Sequence, residues 1–273
     1  MDNLTIRAMV RAELDVAIGW AAVEGWNPGL HDADAFWATD PDGFVALEHE
    51  GQMVGSGSII SYSGQFGFMG FFIVRPDLRG QGWGGHLWHE RVRRLKNRLQ
   101  PGASIGMDGV FTMQAYYGKG GFKFAWRDIR FQGQGREGTL PAGIVAADQV
   151  DFDSLVAFDG EHFPCARPQF LKHWLKLPQS GAFAYCPTGG LEGYAVVRRA
   201  KVGWRIGPLF ARHPEAAEAL FQACSQQAAG DEIFLDAPEN NPAATQLVRR
   251  HGMNEVFGCA RMYLGGTPKT QES

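Results

Sequence analysis

The stretch DGFVALEHEGQMVGSG at 42–57 has a counterpart of the same pattern in SGAFAYCPTGGLEGYA at 180–195. MDGV…AYYGKGGFKF, beginning at Met107, is echoed by LDAP…LVRRHGMNEV, beginning at Leu235. A chain that repeats its own order of elements is constrained to fold as two copies of one unit, and 273 residues accommodates two domains of ordinary size.

The first copy reads as a short strand near Leu4–Arg7, helices around Glu13–Val23 and Asp32–Ala38, and three strands from Phe44, Gln52 and Phe66 joined by turns of hairpin length. A helix follows in which Leu87, Trp88, Val92, Leu95 and Leu99 recur at helical spacing, and Pro101 and Gly102 stop it. A strand at ASIGMDG, a short helix at MQAYYGKG and a strand at FKFAWRDIRF complete this half. Gly, Pro and polar residues make QGQGREGTLPAG, Gln132–Gly143, read as a linker. The same order then returns, down to a last strand at NEVFGCARMYL. The expected fold class is α/β (α+β): two tandem domains, 1–133 and 144–273 with 134–143 between them, each a mixed, mainly antiparallel sheet flanked by helices.

Composition removes whole classes of function. With 45% hydrophobic and 20% charged residues the chain matches neither a disordered nor a membrane protein, and no apolar run approaches the roughly 18 residues of a spanning helix. The start lacks the basic end, apolar stretch and small-residue cleavage site of a secretory signal, so the cytoplasm is the expected location. Cys165, Cys186, Cys224 and Cys259 form no CxxC pair, which argues against zinc and against a disulfide scaffold; no metal is expected. A formal charge of −3 gives no electrostatic reason for nucleic acid, the cluster Arg91, Arg93, Arg94, Lys96 and Arg98 being the local exception. His86 and His89 lie three apart on a helix with no third ligand in view and read as solvated positions.

The halves part company at one loop. VRPDLRGQGWGG, from Val74, packs four glycines between a strand and a helix, whereas the second half runs FARHPEAAEALF straight into a helix from Pro214. Glycine permits left-handed backbone and close approach, and the first amides of a helix are unpaired donors at its positive end, so strand, loop and helix read as an anion cradle or as a tight turn with no ligand. No GK[ST] follows, which excludes a P-loop, and the preceding three strands read antiparallel, unlike a dinucleotide-binding βαβ unit.

The pattern V-x-P-x-x-R-G-x-G-x-G, filled by Val74, Pro76, Arg79, Gly80, Gly82 and Gly84, resembles the acyl-CoA signature of the GNAT acyltransferase superfamily. A second match lies downstream, where AYYGKGGF resembles that family's xxYxxxGF segment, with Tyr117 at the tyrosine, then Gly121 and Phe122. EGWNPG, Glu24–Gly29, and DAPENNPAATQLVRRHGM resemble a tandem subgroup with a degenerate second acetyltransferase-like domain. The resemblance implies acetyl-CoA as co-substrate. It assigns the pantetheine arm to Phe72, Ile73 and Val74, paired like an added strand, and the pyrophosphate to Arg79, Gly80, Gln81, Gly82, Trp83, Gly84 and Gly85. One departure is that Gly118 and Gly120 replace the usual glutamate and apolar residue after the tyrosine. Each internal glycine costs a helix about 1 kcal/mol against alanine, so packing or cofactor must hold the segment.

Transfer from a thioester to an amine needs a neutral amine, a stabilised oxyanion and a proton for the thiolate. In the family a backbone amide before the loop polarises the carbonyl, which falls at or near Val74, and Tyr117 becomes the general acid. Glu24 and Asp108 are the candidate bases, beside deprotonation through water; Asp108 also reads as a turn-former because Asp236 repeats it. Trp26 and Asn27 are candidate walls of an acceptor pocket, alongside Asp108. The expected function is an acetyl-CoA-dependent N-acetyltransferase acting on a primary amine of a small molecule or peptide by direct attack in a ternary complex. The alternatives are a non-catalytic acyl-CoA-binding sensor or protein-interaction module, and a donor longer than acetyl. Acceptor and oligomeric state stay open.

Overall fold

The computed structural model describes residues 3–270; residues 1, 2 and 271–273, at the outer ends of the two expected domains, lie outside it. The first half comprises β1 (Leu4–Ala8), α1 (Arg11–Val23), α2 (Asp32–Thr39), β2 (Phe44–His49), β3 (Gln52–Tyr62), β4 (Phe66–Val74), α3 (Trp83–Asn97), β5 (Ser104–Gly109), α4 (Gln114–Lys119) and β6 (Lys123–Gln134). The second comprises β7 (Ile144–Ala146), α5 (Phe152–His162), α6 (Pro168–Trp174), β8 (Ser180–Tyr185), β9 (Gly193–Arg199), β10 (Trp204–Ala211), α7 (Pro214–Gln227), β11 (Glu232–Pro238), α8 (Pro242–Arg250) and β12 (Asn254–Leu264). β7 mirrors β1 and was not expected from its three residues.

Among the described residues all twelve strands join one sheet, in the order β1-β2-β3-β4-β5-β12-β6-β11-β10-β9-β8-β7. The order shows a strand exchange: β12 of the second half sits between β5 and β6 of the first, and β6 sits between β11 and β12 of the second. The strand β6 also runs to Gln134, so Gln132 and Gly133, read as linker, are paired with Phe234 and Ile233. The linker's Gly and polar content begins inside a strand, where a Cβ on Gly133 would meet Met253 at 2.9 Å and Gln132 donates to Glu232 (2.5 Å).

Two faces of this sheet carry separate cores. On one, α3 buries Leu87, Trp88, Arg91 and Leu95 against Val45, Met69, Met107 and Tyr117. On the other, α1 and α2 cover Phe44, Ala46 and Ile60. Because both faces are covered, β2 and β3 read as runs of apolar and small residues rather than alternating ones, being buried throughout from Phe44 to Leu47 and from Val54 to Ile60.

The halves also dock reciprocally. The loop after α1 lies on the β9–β10 hairpin, with Leu30 N–H donating to Arg199 O (2.9 Å) and Lys201 N–H to Pro28 O (3.1 Å). In exchange, Phe163, after α5, packs edge-on against Tyr62 and Phe66 at the β3–β4 turn.

Candidate active site

The site forms where β4 and β5 part. They pair in parallel from Phe66–Ser104 to Met69–Met107 and no further. There β4 bulges against β3: Ser58 pairs with Gly70 but Ser56 with Ile73, and Phe71 adopts φ +48° while its carbonyl accepts from Ser56 Oγ (2.7 Å). A bulge bends its strand and re-aims its peptides, so Phe72, Ile73 and Val74 run along an open edge. Buried Arg91 props this bulge. Its Nη2 donates to Ser58 O (2.8 Å) and Gly70 O (2.7 Å), while Nε and Nη1 have no hydrogen-bond partner among the described residues. Gly57 makes room, since a Cβ there would sit 2.2 Å from Arg91 Nε. Burial, only partly offset by the Tyr117 hydroxyl, brings the guanidinium down to about 9, which leaves it charged at neutral pH.

Beyond Val74 the chain makes a short 3₁₀ turn at Pro76–Leu78 and enters α3 through Gly80 (φ +82°) and Gly82 (φ +81°), angles that L side chains rarely adopt. The backbone N–H groups of Gly80 to Gly84 have no acceptor among the described residues. Five free donors at a helix N-terminus suit a pyrophosphate. Arg79 stands beside them, its Nε donating to Val74 O (2.9 Å) and its Nη2 bonded to Glu24.

In the second half β10 and β11 also part after Ile206–Leu235, and β10 is irregular between Ile206 and Leu209. Its helix, however, caps itself: Pro214 has no N–H to offer, and His213 Nδ1 accepts from Ala216 N (3.3 Å). Among the described residues the cradle exists in the first half only.

Tyr117 lies between the Trp88 ring, 4.9 Å between centroids, and the backbone of Gly109, where a Cβ would come within 2.5 Å of the tyrosine. Burial, partly offset by Arg91, holds its phenol above the usual range, so the hydroxyl stays protonated at neutral pH. The glycines that depart from the family pattern have a local reason in one case: a Cβ on Gly120 would press on Trp88 at 3.2 Å.

Successive strand residues face opposite sides. Gly109 faces Tyr117, and Asp108 therefore faces away from it, toward β12 and β6. Arg261 grips Asp108 through Nε (2.5 Å) and Nη2 (3.0 Å), and Asp128 lies alongside with Cys259. Asp108, Asp128 and Cys259 bring donor atoms within 4.8 Å of one another, and the cation among them is the Arg261 guanidinium.

Both faces open into one cavity of about 1290 Å³, reached through the gap between β4 and β5. This exceeds the roughly 300–1,000 Å³ of a single-ligand pocket and leaves room for a donor arm and an acceptor together. The second half supplies much of its wall: Arg167, Trp174, Arg198, Arg205, Phe210 and Asp236. Their charges are tied off in pairs. Asp32 holds Arg198 (2.7 Å), Asp236 holds Arg130 (2.6 Å) and Arg205 (2.7 Å), and buried Asp159 holds Arg167 (2.8 Å).

Of the residues named from sequence, Glu24, Trp26, Phe72, Ile73, Val74, Arg79, Gly80, Trp83, Gly84, Asp108 and Tyr117 line the cavity, while Gln81, Gly82 and Gly85 do not. Asn27 is corrected: its amide is spent on the Val202 backbone, donating to O and accepting from N, both at 2.9 Å, and it clamps the halves instead of facing an acceptor. The arginine-rich face of α3 is also consumed internally, with Arg93 and Arg94 on Glu90 and Arg98 on Asp40. Sequence reasoning missed Arg91 and Asp128. Arg91 was visible in phase, four residues from both Leu87 and Leu95 on the buried stripe. Asp128 becomes a site residue only once β12 is inserted beside it.

Sequence models agree with this architecture in both halves. The acetyltransferase (GNAT) family matches residues 11–122, and an acetyltransferase (GNAT) domain matches 155–273. The chain belongs to the GNAT superfamily, with two such domains in tandem. It is 28% identical over 262 residues to the holothin acyltransferase of Pseudoalteromonas sp. (strain SANK 73390), covering 95% of this chain and 87% of that one. A crystal structure from Pyrococcus horikoshii, provisionally named an acetyltransferase, superposes with a TM-score of 0.84 at 20% identity over all of this chain and 92% of its own. A tandem GNAT protein from the clavulanic acid biosynthesis pathway gives 0.65 at 12% identity over 97% and 100% of the two chains. Among the described residues no helix is long and apolar enough to cross a membrane.

Proposed function

We propose that this acyltransferase moves an acetyl group from acetyl-CoA to the primary amine of a small molecule or peptide, by direct attack with both substrates bound. The observation that carries the reading is the run of five free amides, Gly80 to Gly84, in a loop whose Gly80, Trp83 and Gly84 line the same cavity as Tyr117. In this reading the amides and Arg79 hold the pyrophosphate, Arg79 exchanging Glu24 for phosphate oxygens. The open edge at Phe72, Ile73 and Val74 receives the pantetheine arm and delivers the thioester into the gap between β4 and β5. Tyr117, neutral at working pH, gives its proton to the departing thiolate. The acceptor enters from the opposite face, where Trp26 and the second half's Phe210 and Trp174 form an aromatic wall.

The relative named holothin acyltransferase supports acyl transfer to a discrete acceptor, and holothin joins the compounds to test. Thiol release is followed with acetyl-CoA and longer acyl-CoAs against holothin, aminoglycosides, polyamines, amino acids and lysine peptides. Tyr117→Phe is expected to lower kcat about 10²–10⁴-fold with acyl-CoA binding unchanged. CoA binding without thiol release above hydrolysis for any amine identifies a sensor instead. Preference for a longer acyl-CoA refutes the acetyl assignment alone.

A further inference from the structure

Three carboxylates face this cavity near its reactive gap, and they differ in what already holds them. Glu24 is bonded to Arg79 at the donor mouth. Asp108 has both oxygens on Arg261. Asp128 has one: its Oδ1 accepts from Trp126 Nε1 (3.1 Å), while its Oδ2, fully buried, has no hydrogen-bond partner. Arg261 Nη2 lies 3.2 Å from that oxygen, an ion contact outside hydrogen-bonding geometry.

Resting on the acyltransferase reading, we propose that Asp128, rather than Glu24 or Asp108, binds the acceptor's ammonium and takes its proton before attack. Position supports the choice. β5 stops pairing with β4 after Met107, so Asp108 is the first residue past the gap, and Asp128 is two strands over, joined to it through Arg261. Both lie on the face of the sheet away from Tyr117, so base and acid stand on opposite sides of the thioester. An ammonium supplies the hydrogen-bond donor that this oxygen lacks despite its ion contact with Arg261, and meeting a buried oxygen's want of a donor stabilises the bound acceptor.

The groups packed around Asp128 tune it. Burial is the largest influence and raises it, Arg261 of β12 lowers it, Asp108 of β5 raises it, the Trp126 N–H lowers it and Asp236 of β11 raises it. Cys259 of β12, itself held neutral by burial, donates weakly to the Asp128 backbone carbonyl. The balance pushes the carboxyl up to about 7, close to the value a base needs at neutral pH.

The step balances as follows. Asp128 carboxylate takes one proton from the ammonium. The freed nitrogen lone pair bonds to the thioester carbon while the carbonyl π pair moves to oxygen. On collapse the C–S bond breaks, and its electron pair leaves with sulfur, which takes the Tyr117 proton. The nitrogen's second proton returns to Tyr117 through water, and Asp128 releases its own to solvent, giving amide, free CoA thiol and one proton.

The test measures kcat/KM from pH 5 to 9 for wild type, Asp128→Asn, Asp128→Glu, Glu24→Gln and Asp108→Asn, with acyl-CoA affinity by calorimetry and unfolding midpoints for each. Wild type is expected to show an acidic limb with a midpoint near 7. Asp128→Asn should lose that limb and fall about 100-fold or more at pH 7 with acyl-CoA affinity within about twofold, and Asp128→Glu should restore part of the rate. If Asp128→Asn folds, binds acyl-CoA and keeps the limb, or if the limb disappears with Glu24→Gln instead, the assignment is overturned while the acyltransferase reading stands. If wild type acylates no amine, both fall together.

Discussion

Asp159 is the residue whose loss the cavity wall should feel most. Its carboxylate is fully buried, receives Arg167 Nε and Nη2 at 2.8 Å each, and is also bonded to the Tyr194 hydroxyl. Arg167 is held in place by this grip and by Phe163 and Phe170, whose ring centres lie 3.9 and 4.4 Å from its guanidinium carbon. Asp159→Asn keeps the shape and removes the charge, stranding a buried guanidinium. Breaking one partner of such a pair costs about 3–5 kcal/mol, because the remaining charge is uncompensated. At this chain length that corresponds to a fall of roughly 5–9 °C in Tm. In urea the midpoint should fall at unchanged slope. Adding Arg167→Met removes the stranded charge and leaves an apolar side chain among the same rings, so the double variant should recover most of the loss. A single variant within about 1 kcal/mol of wild type, or a double variant no more stable than the single, would refute the argument that charge burial is what Asp159 offsets.

Two further outcomes follow from the site. Gly82→Ala places a Cβ in open space but in a left-handed conformation, which costs about 1–2 kcal/mol. The turn should relax and misdirect its amides, so calorimetry is expected to show acyl-CoA affinity down by tenfold or more, and unchanged affinity sinks the cradle assignment. Asp236 is held down to about 2, since Arg205 and Arg130 outweigh the effect of burial. A depressed carboxylate stabilises the fold above its unfolded value near 4, and that contribution is lost as pH falls toward 2. Asp236→Asn should therefore be less stable at neutral pH and show a shallower loss of stability from pH 4 to 2. A parallel displacement of the two curves rejects it.

How far the sequence carries the reader varies with the distance between interacting residues. Strands at Phe44, Gln52 and Phe66 were legible because their turns are local, and α3 because Leu87, Trp88 and Leu95 share a phase. The glycine turn before α3 and the place of Tyr117 on the cavity were legible through short motifs. The partner of each half's last strand was not: FKFAWRDIRF and NEVFGCARMYL look alike whether each returns to its own half or crosses over. Asp128 was lost for that reason, since Arg261 and Cys259 reach it from β12. Asn27 misled because a polar residue in an aromatic loop looks equally fit for a ligand or for the backbone of a neighbouring hairpin, here at Val202.

The crossing of β6 and β12 sets a timetable for the protein's birth. When the ribosome has finished β6, about 130 residues must still be made before β12 is complete, on the order of ten seconds at typical elongation rates. Through that interval the nascent first half carries strand edges on β5 and β6 whose final neighbour does not yet exist, and such edges invite foreign pairing. The glycine loop is translated well before β12, which lays the floor of its cavity. A nascent chain of this design acquires its activity in one late event, and a ribosome stalled anywhere before residue 254 releases an open sheet rather than a half-sized enzyme.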